Sequence, residues 1–318
     1  MSNKEKLIVV LGPTAVGKTA LAVALAKKLA TRVISGDSML VYKGFDIGTA
    51  KPDLDEMQGV PHDLIDILEP DKSFNVVDFV TMAKEKISLA NRAGNIPVLA
   101  GGTGLYVKSL LEGYEFNHTS GDKKYRQKLE QLAAEKGKDY VYFLLQEADP
   151  AAAARIDAGN LRRVIRALEV WHLGGESIST VNRLQSDGLI YDALVIGLRR
   201  ERASLYERIN RRVDIMIEKG LVDEVKHLLS LGIKEDFPAM KGIGYKEVVS
   251  CLNAGGDIQE AIEQIKTGTR HFAKRQFTWY RKMPYINWYD ADNISDSALL
   301  EQVYALVKRH FAFTGEIG

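Results

Sequence analysis

The chain has 318 residues, 46% of them hydrophobic and 27% charged, which is the usual composition of a globular protein with a real core. Its formal net charge is +1, so any polyanion site must come from local clusters of lysine and arginine. The single cysteine, Cys251, excludes an intrachain disulfide and zinc modules built from two or four cysteines. The charged N-terminus and the short apolar run after it predict neither a signal peptide nor a membrane span, so we expect a cytoplasmic protein.

The first predicted element is a strand from Leu7 to Leu11, which leads through a glycine-rich loop into a helical run, Ala20 to Ala30. The loop matches the phosphate-binding pattern G-x-x-x-x-G-K-T in its required context of strand, loop and helix. The residues expected to surround phosphate are Gly12, Pro13, Thr14, Ala15, Val16, Gly17, Lys18 and Thr19. Lys18 supplies a mobile positive charge, and the Thr19 hydroxyl is suited to a phosphate-bound Mg²⁺.

A second predicted strand, Arg32 to Ile34, ends in Ser35-Gly36-Asp37-Ser38 and makes the chain an α/β protein. Ligands of open parallel sheets bind at the carboxyl ends of the strands, so we expect Asp37 to face the phosphate loop. A carboxylate there is suited to act as a general base or to hold a magnesium-bound water. The alternative is an aspartate that caps a helix or stabilises a turn.

A third predicted strand, Ile96 to Ala100, runs into a glycine-rich segment from Gly101 to Tyr106, where backbone can approach a ligand closely. We expect the Thr103 hydroxyl to point into the same crevice as Asp37. The alternative is that these glycines serve only tight packing between a strand and a helix. Between the second and third strands, Asn75 is predicted to cap a helix.

From about Asn117 to Asp192 the sequence becomes mostly helical, charged and alanine-rich, which predicts an inserted helical domain. We expect helices over Lys123 to Gly137 and from Asp149-Pro150 onward, with a strand-like apolar run from Tyr140 to Leu145 between them. The predicted domains are residues 1–116 with 193–318 as the phosphate-loop core, and residues 117–192 as the insert.

Three segments concentrate basic residues. The amphipathic run Leu161 to Leu173 places Arg162, Arg163 and Arg166 opposite its apolar face. A glycine turn, Lys241 to Lys246, combines lysines with an aromatic residue and suits contact with a nucleic-acid backbone or stacking on a base. The last long helix, Ile258 to about Lys282, carries Arg270, Lys274, Arg275 and Arg281 outside its apolar arc. These faces suggest a polyanion, although a solvated charged surface or a simple loop remains the alternative for each.

The motifs that carry a family resemblance are, in chain order, Gly12–Thr19, Ser35–Ser38, Val41–Pro52, Gly101–Tyr106, Arg162–Glu169, Lys241–Lys246 and Thr269–Gln276. Together they resemble the bacterial tRNA dimethylallyltransferases over nearly the whole chain. The resemblance implies a P-loop NTPase-like parallel sheet flanked by helices, with an inserted, mainly helical domain that binds tRNA. It also implies transfer of a dimethylallyl group from dimethylallyl diphosphate to N6 of the adenosine directly 3′ of a tRNA anticodon, with Mg²⁺ as cofactor.

The resemblance also implies roles for particular residues. Asp37 is the expected base, Lys18 and Thr19 act on the diphosphate, and Thr103 contacts the tRNA. The residues expected to contact the tRNA anticodon arm are Asp37, Ser38, Met39, Leu40, Thr103, Arg126, Arg162, Arg163, Arg166, Lys241, Gly244, Tyr245, Lys246, Arg270, Lys274 and Arg275. Leu40 stands where many relatives carry glutamine.

Two other functions remain open from the sequence. A P-loop kinase of a small metabolite or nucleotide would hold ATP in the same loop and use Asp37 to activate a hydroxyl. A nucleotide-switched RNA-binding protein would need no chemistry of its own. The basic faces argue against a kinase, and the aspartate beside the loop argues against a pure switch. Neutral net charge and the lack of a dimerisation stripe predict a monomer.

Overall fold

The structure is a computed structural model that describes residues 4–114, 122–174 and 188–312. The chain divides into two compact units. The larger unit combines Met1–Leu111 with Leu189–Gly318, and the smaller unit is Glu112–Gly188. Along the sequence, the smaller unit is thus an insertion between the two segments that form the larger unit.

The larger unit is built on a six-stranded sheet in which every neighbouring pair is parallel. Its strands are β1 (Lys6–Leu11), β2 (Val33–Ser35), β3 (His62–Asp63), β4 (Val98–Gly101), β5 (Asp192–Arg199) and β6 (Asn287–Asp290), in the spatial order β3-β2-β4-β1-β5-β6. The predicted α/β fold with a parallel sheet is confirmed. Because the strands are parallel, the segments that follow β1, β2, β4 and β5 all leave the sheet at one edge.

The helices of the larger unit are α1 (Lys18–Lys28), α2 (Leu54–Met57), α3 (Val76–Arg92), α4 (Gly104–Leu111), α9 (Arg202–Glu218), α10 (Leu221–Ser230), α11 (Tyr245–Ala254), α12 (Ile258–Tyr280) and α13 (Asp296–His310). A short 3-10 helix, Ala239–Lys241, precedes α11. Helices α5 (Lys123–Lys136), α6 (Lys138–Ala148), α7 (Pro150–Ala153) and α8 (Leu161–Gly174) form the smaller unit. None of these described helices has the length and apolar character needed to cross a membrane.

The sheet is central because its middle strand is apolar throughout. Residues Leu7 to Leu11 of β1 are fully buried, as expected for a parallel strand covered on both faces. On one face, Ile8 and Val10 belong to a buried cluster with Leu21 and Leu25 of α1. This packing fixes the beginning of α1 directly beyond the end of β1.

A second buried cluster joins the loop after β2 to the helices α9, α10 and α11. It contains Val41 and Phe45 from the loop, Leu221 and Val225 from α10, and Tyr245 from α11. The sequence did not predict α10, which starts directly after Gly220, a residue with a φ of 96°. This cluster gives the otherwise irregular loop a rigid support.

Two local predictions have opposite outcomes. Asn75 caps α3 as predicted, because its side-chain oxygen accepts a hydrogen bond from the Val77 N–H at 2.8 Å. The strand predicted from Tyr140 to Leu145 is wrong, since these residues lie within α6. Val141 and Leu145 are buried four residues apart on one face of that helix, so packing between helices decides the structure of this apolar run.

Candidate active site

The phosphate-binding loop connects β1 to α1 in a strained conformation with several residues at positive φ. Gly12 has a φ of 151°, and a Cβ atom there would lie only 2.6 Å from the Leu198 carbonyl oxygen. Ala15 adopts a φ of 63°, a left-handed conformation that costs about 1 kcal/mol outside glycine. Gly17 caps α1 without any side-chain hydrogen bond. The first N–H groups of α1 are therefore not capped by the preceding side chain and suit an anion.

Lys18 is already turned back over this loop. Its Nζ donates a hydrogen bond to the Pro13 carbonyl oxygen at 2.7 Å. Burial lowers the pKa of Lys18 to about 7, and the charge of Arg212 lowers this pKa further, while Asp37 raises it. The lysine thus sits in surroundings where its positive charge lacks full compensation, which favours an incoming phosphate.

Three arginines from the end of β5 and from α9 surround the outside of the loop. Their contacts are Arg200 Nε to Val16 O (3.3 Å), Arg208 Nε to Ala15 O (2.9 Å) and Arg212 Nη1 to Thr14 Oγ1 (3.4 Å). Burial is the main cause that lowers the pKa of both Arg208 and Arg212. These three arginines were not predicted from the sequence as part of the site. One feature of the sequence could have pointed to them. Arg208 and Arg212 are four residues apart, so they share a face of the helix that follows β5, and β5 pairs with β1.

Helix α12 ties the phosphate loop to the second glycine-rich segment. The Gln276 side chain accepts a hydrogen bond from the Thr14 N–H and donates one to the Gly102 carbonyl oxygen, both at 2.9 Å. The Tyr280 hydroxyl lies 2.8 Å from the Gly12 carbonyl oxygen and 3.1 Å from that of Gly102. Both side chains are buried. This function was not predicted from the sequence, where Gln276 appears only as the last residue of the motif Thr269–Gln276.

Asp37 and Thr103 follow β2 and β4, which are neighbours in the sheet. The two strand ends touch, since a Cβ atom on Gly101 would lie 2.5 Å from the Gly36 carbonyl oxygen. Asp37 Oδ1 accepts a hydrogen bond from the Met39 N–H at 2.8 Å, so this residue does stabilise a turn. Its charge nevertheless acts on both Lys18 and Arg212. Asp37 therefore has a turn-forming oxygen and lies within electrostatic range of the phosphate loop.

A metal at this site would depend on the ligand that brings it. Among the described residues, no group of three or more histidine, cysteine, aspartate or glutamate side chains is arranged to hold a metal ion. Thr19 is exposed in the first turn of α1, on the same loop as the uncapped N–H groups. Mg²⁺ commonly keeps several waters and takes most of its protein-site oxygens from phosphates. The residues present fit such an ion.

In the smaller unit, Glu169 organises the basic side chains. It is fully buried and accepts hydrogen bonds from Arg126 Nη2 at 3.0 and 2.8 Å and from Arg166 Nη1 at 2.6 Å. Burial raises the pKa of Glu169, but the bonds from the two arginines outweigh burial and lower it overall. Arg162 and Arg163 are exposed. The predicted basic face is therefore partly neutralised from within the unit.

The segment Lys241–Lys246 differs from the predicted glycine loop. Lys241 and Lys246 are exposed, but Tyr245 begins α11 and is fully buried, with its ring centroid 4.7 Å from that of Phe45. Its ring offers no face to a base. The expectation that this aromatic stacks on RNA is thus wrong, because a helix begins at Tyr245 and turns its side chain into the core.

The remaining basic residues of α12 differ in exposure. Lys274 and Arg275 are exposed, whereas Arg270 is partly buried and donates a hydrogen bond to Asn210 Oδ1 at 2.6 Å. Ser38, Met39 and Leu40 are also partly buried. Contacts from all of these residues to RNA stay predictions.

A parallel sheet with a strand, a G-x-x-x-x-G-K-T loop and a helix at its carboxyl edge defines a P-loop α/β protein. Two family models match the chain: IPP transferase over residues 40–283 and Isopentenyl transferase over residues 5–66. The chain belongs to the IPP transferase family, and the predicted resemblance to tRNA dimethylallyltransferases is confirmed.

Individual relatives agree with this assignment. A tRNA dimethylallyltransferase of Bacillus cereus (strain AH187) is 45% identical over 308 residues, covering 96% of this chain and 97% of that protein. The full-length tRNA isopentenylpyrophosphate transferase of Bacillus halodurans is 43% identical, with a TM-score of 0.73 and 97% of each chain covered. A eukaryotic dimethylallyltransferase, solved in the course of acting on tRNA, is 29% identical, with a TM-score of 0.82 over 97% of this chain and 80% of that chain.

Proposed function

We propose that this protein transfers the dimethylallyl group of dimethylallyl diphosphate to N6 of the adenosine directly 3′ of the anticodon in tRNA. The observation that carries the proposal is the placement of Asp37 and Thr103 beside a phosphate loop ringed by Lys18 and arginines. Family membership supports the same reaction.

The reaction forms a C–N bond and a bond between a base and a proton, and it breaks a C–O bond and an N–H bond. The N6 lone pair forms a C–N bond to C1 of the dimethylallyl group, the C1–O bond breaks, and diphosphate leaves with that electron pair. The nitrogen then loses one of its protons to a base. An exocyclic amine is a weak nucleophile, so orientation and stabilisation of the leaving group must carry much of the barrier reduction.

The phosphate loop is suited to hold the diphosphate as it leaves. Its N–H groups, the N-terminus of α1 and Lys18 place positive charge where negative charge develops. The Thr19 hydroxyl would hold a Mg²⁺ bound to the diphosphate, and this ion would neutralise further charge on the leaving group. Arg212, which contacts the loop through Thr14, adds a fixed charge from α9.

Asp37 is the proposed base. The Met39 N–H holds one carboxylate oxygen at 2.8 Å. The second oxygen is the one proposed to accept the proton of the amine. Thr103, at the start of α4, is proposed to contact the same nucleotide. The carboxylate also lies within range of Lys18, so the base and the leaving-group site share one crevice.

The tRNA is proposed to bind through basic residues of both units. Extruding the target base from its stack costs a few kcal/mol, and contacts to the anticodon arm must offset that cost. The exposed candidates are Arg162, Arg163, Lys241, Lys246, Lys274 and Arg275. A tRNA substrate also supports a cytoplasmic protein, and we retain the expectation of a monomer.

The test is mass spectrometry of nucleosides from hypomodified tRNA after incubation with the protein, Mg²⁺ and dimethylallyl diphosphate. We expect one adenosine per modified tRNA to gain a single C₅H₈ unit, and no gain when the diphosphate is omitted. Unchanged adenosine under single-turnover conditions, together with hydrolysis of added ATP, would favour a kinase and overturn the proposal.

A further inference from the structure

A carboxylate on α10 occupies a nest of backbone donors in the loop after β2. Glu224 Oε2 accepts hydrogen bonds from the N–H groups of Asp46 (3.1 Å) and Ile47 (2.8 Å). Its Oε1 accepts from the Gly48 N–H at 3.2 Å and from the Tyr245 hydroxyl at 2.6 Å. Three successive N–H groups that converge on one anion form the kind of concavity that binds phosphate in other proteins. Here the protein fills it with its own side chain.

The side chains around the nest are also closely packed. A Cβ atom on Gly48 would lie 2.5 Å from Cε2 of the Tyr245 ring, so only glycine fits there. The Tyr245 ring is fully buried against Phe45. Burial and the neighbouring Glu224 charge both raise the pKa of the Tyr245 hydroxyl, which keeps it a donor. The loop and α11 are therefore locked together at this point.

The residues around the Glu224 nest also contact two segments that are proposed to bind RNA. Tyr245 lies within the segment Lys241–Lys246, and Gly242 of that segment packs so closely on Met39 that a Cβ atom there would lie 2.7 Å from Met39 Cε. The Met39 N–H in turn holds the Asp37 carboxylate. A continuous set of contacts thus runs from the Glu224 nest to the proposed base.

We propose that Glu224 is a positioning residue for tRNA, which acts through the Tyr245 hydroxyl and the N–H groups of Asp46 to Gly48. It fixes the segment Lys241–Lys246 relative to Asp37–Leu40, so that both meet the RNA in one geometry. Glu224 itself touches no substrate. This inference rests on the proposed function.

The chemistry of the nest explains why a carboxylate is required. Both oxygens of Glu224 face donors, so glutamine would turn an –NH₂ group toward at least one of them. The Tyr245 hydroxyl is able to rotate and accept from that group, whereas a backbone N–H is not. Glu224→Gln therefore keeps the size of the side chain but leaves donors facing each other. Tyr245→Phe removes a single hydrogen bond and keeps the ring.

The experiment compares these two variants with Asp223→Asn, which removes the same charge from the neighbouring residue of α10, whose side chain is 85% exposed. For each protein, KM for tRNA, KM for dimethylallyl diphosphate and kcat are measured beside tRNA affinity by filter binding and the midpoint of urea unfolding. We expect KM and Kd for tRNA to rise about tenfold in Glu224→Gln and about threefold in Tyr245→Phe. We expect KM for the diphosphate to stay unchanged in both, and Asp223→Asn to resemble the wild type.

Other outcomes distinguish the positioning role of Glu224 from the proposed transfer reaction. A lower unfolding midpoint with unchanged tRNA affinity in Tyr245→Phe would show a purely structural role and overturn the inference, even if Glu224→Gln failed to fold. Equal losses for tRNA and for the diphosphate would overturn it as well. A wild-type protein that binds tRNA but transfers nothing would contradict the proposed function alone, since filter binding still tests the positioning role.

Discussion

Two groups of arginines, one beside the phosphate loop and one on the insert helices α5 and α8, differ in how their charges are balanced. Arg208 and Arg212 donate to a carbonyl and a hydroxyl of the loop, and burial lowers the pKa of both. In the insert, Arg126 and Arg166 instead share the buried carboxylate of Glu169. The first group is held against the loop itself, with Arg212 partly buried, whereas the charges of the second group are partly neutralised by one carboxylate.

Each group of arginines suits a different kind of anion. Fixed charges in a partly buried crevice act strongly on a small, compact anion such as a diphosphate, and salt screens them weakly. Exposed arginines suit the many phosphates of an RNA, whose binding weakens steeply as salt rises. We therefore expect changes near the loop to affect the diphosphate and the chemistry, and changes in the insert to affect tRNA.

The largest effect is expected from Asp37→Ala. Because this residue is the proposed base, kcat should fall by about 10³-fold, within the range of general base catalysis. Affinity for tRNA should stay within about twofold, since filter binding does not require the proton transfer. Loss of tRNA affinity with an unchanged rate would show that Asp37 only binds RNA, and it would break the division between the two regions.

The next effect concerns pH and Lys18, whose pKa is lowered to about 7. An anion binds the protonated lysine better, so the contribution of Lys18 to diphosphate affinity is complete below pH 7 and should fall by up to about tenfold per pH unit above it. Binding near pH 8 should take up a proton, which calorimetry in buffers of different ionisation enthalpy detects. Lys18→Met should bind more weakly and take up no proton.

Lys18 affects folding stability in the opposite direction: stability rises with pH, whereas diphosphate affinity falls. The unfolded chain holds the Lys18 proton up to the ordinary pKa of 10.5, whereas the folded protein releases it near pH 7. This group alone should therefore make the unliganded protein more stable as pH rises from 7 to about 10. A Lys18→Met variant that retained the full pH dependence of both binding and stability would contradict this role.

The smallest effect is expected from Glu169→Gln in the insert. Arg126 and Arg166 would lose their shared carboxylate, so their orientation should loosen and KM for tRNA should rise about fivefold. KM for the diphosphate should not change. Because the pKa of Glu169 is lowered, the pairing is complete above the ordinary carboxyl pKa and is lost as pH falls through the lowered value. Glu169→Gln should remove that acid sensitivity of the unfolding midpoint.

A stronger tRNA affinity in Glu169→Gln would mean that the carboxylate withholds its arginines from RNA rather than orienting them. Glu147→Gln, an exposed glutamate of α6, is the matched control and should resemble the wild type in every measurement.

The fold could be predicted from the sequence wherever a local pattern of residues decides the structure. The strand, loop and helix from Leu7 to Ala30, the Asn75 cap and the parallel sheet followed from apolar runs, glycines and capping residues. The joining of the strand ends before Asp37 and Thr103 followed from the rule for parallel sheets.

The rest depended on contacts between distant parts of the chain. Arg208 and Gln276 reach the phosphate loop from 193 and 262 residues away, and only the pairing of β1 with β5 and the packing of α12 bring them there. The burial of the Tyr245 ring was not predicted, because it follows from the start of α11 at this residue.

The most direct test of the account is a paired kinetic measurement on Arg212→Gln and Arg166→Gln, with KM determined for both substrates in each variant. We expect Arg212→Gln to raise KM for dimethylallyl diphosphate about tenfold and KM for tRNA by less than about twofold, and Arg166→Gln to do the reverse. If both variants raised the two KM values by the same factor, the two groups of arginines would not serve different anions, and the account would be contradicted.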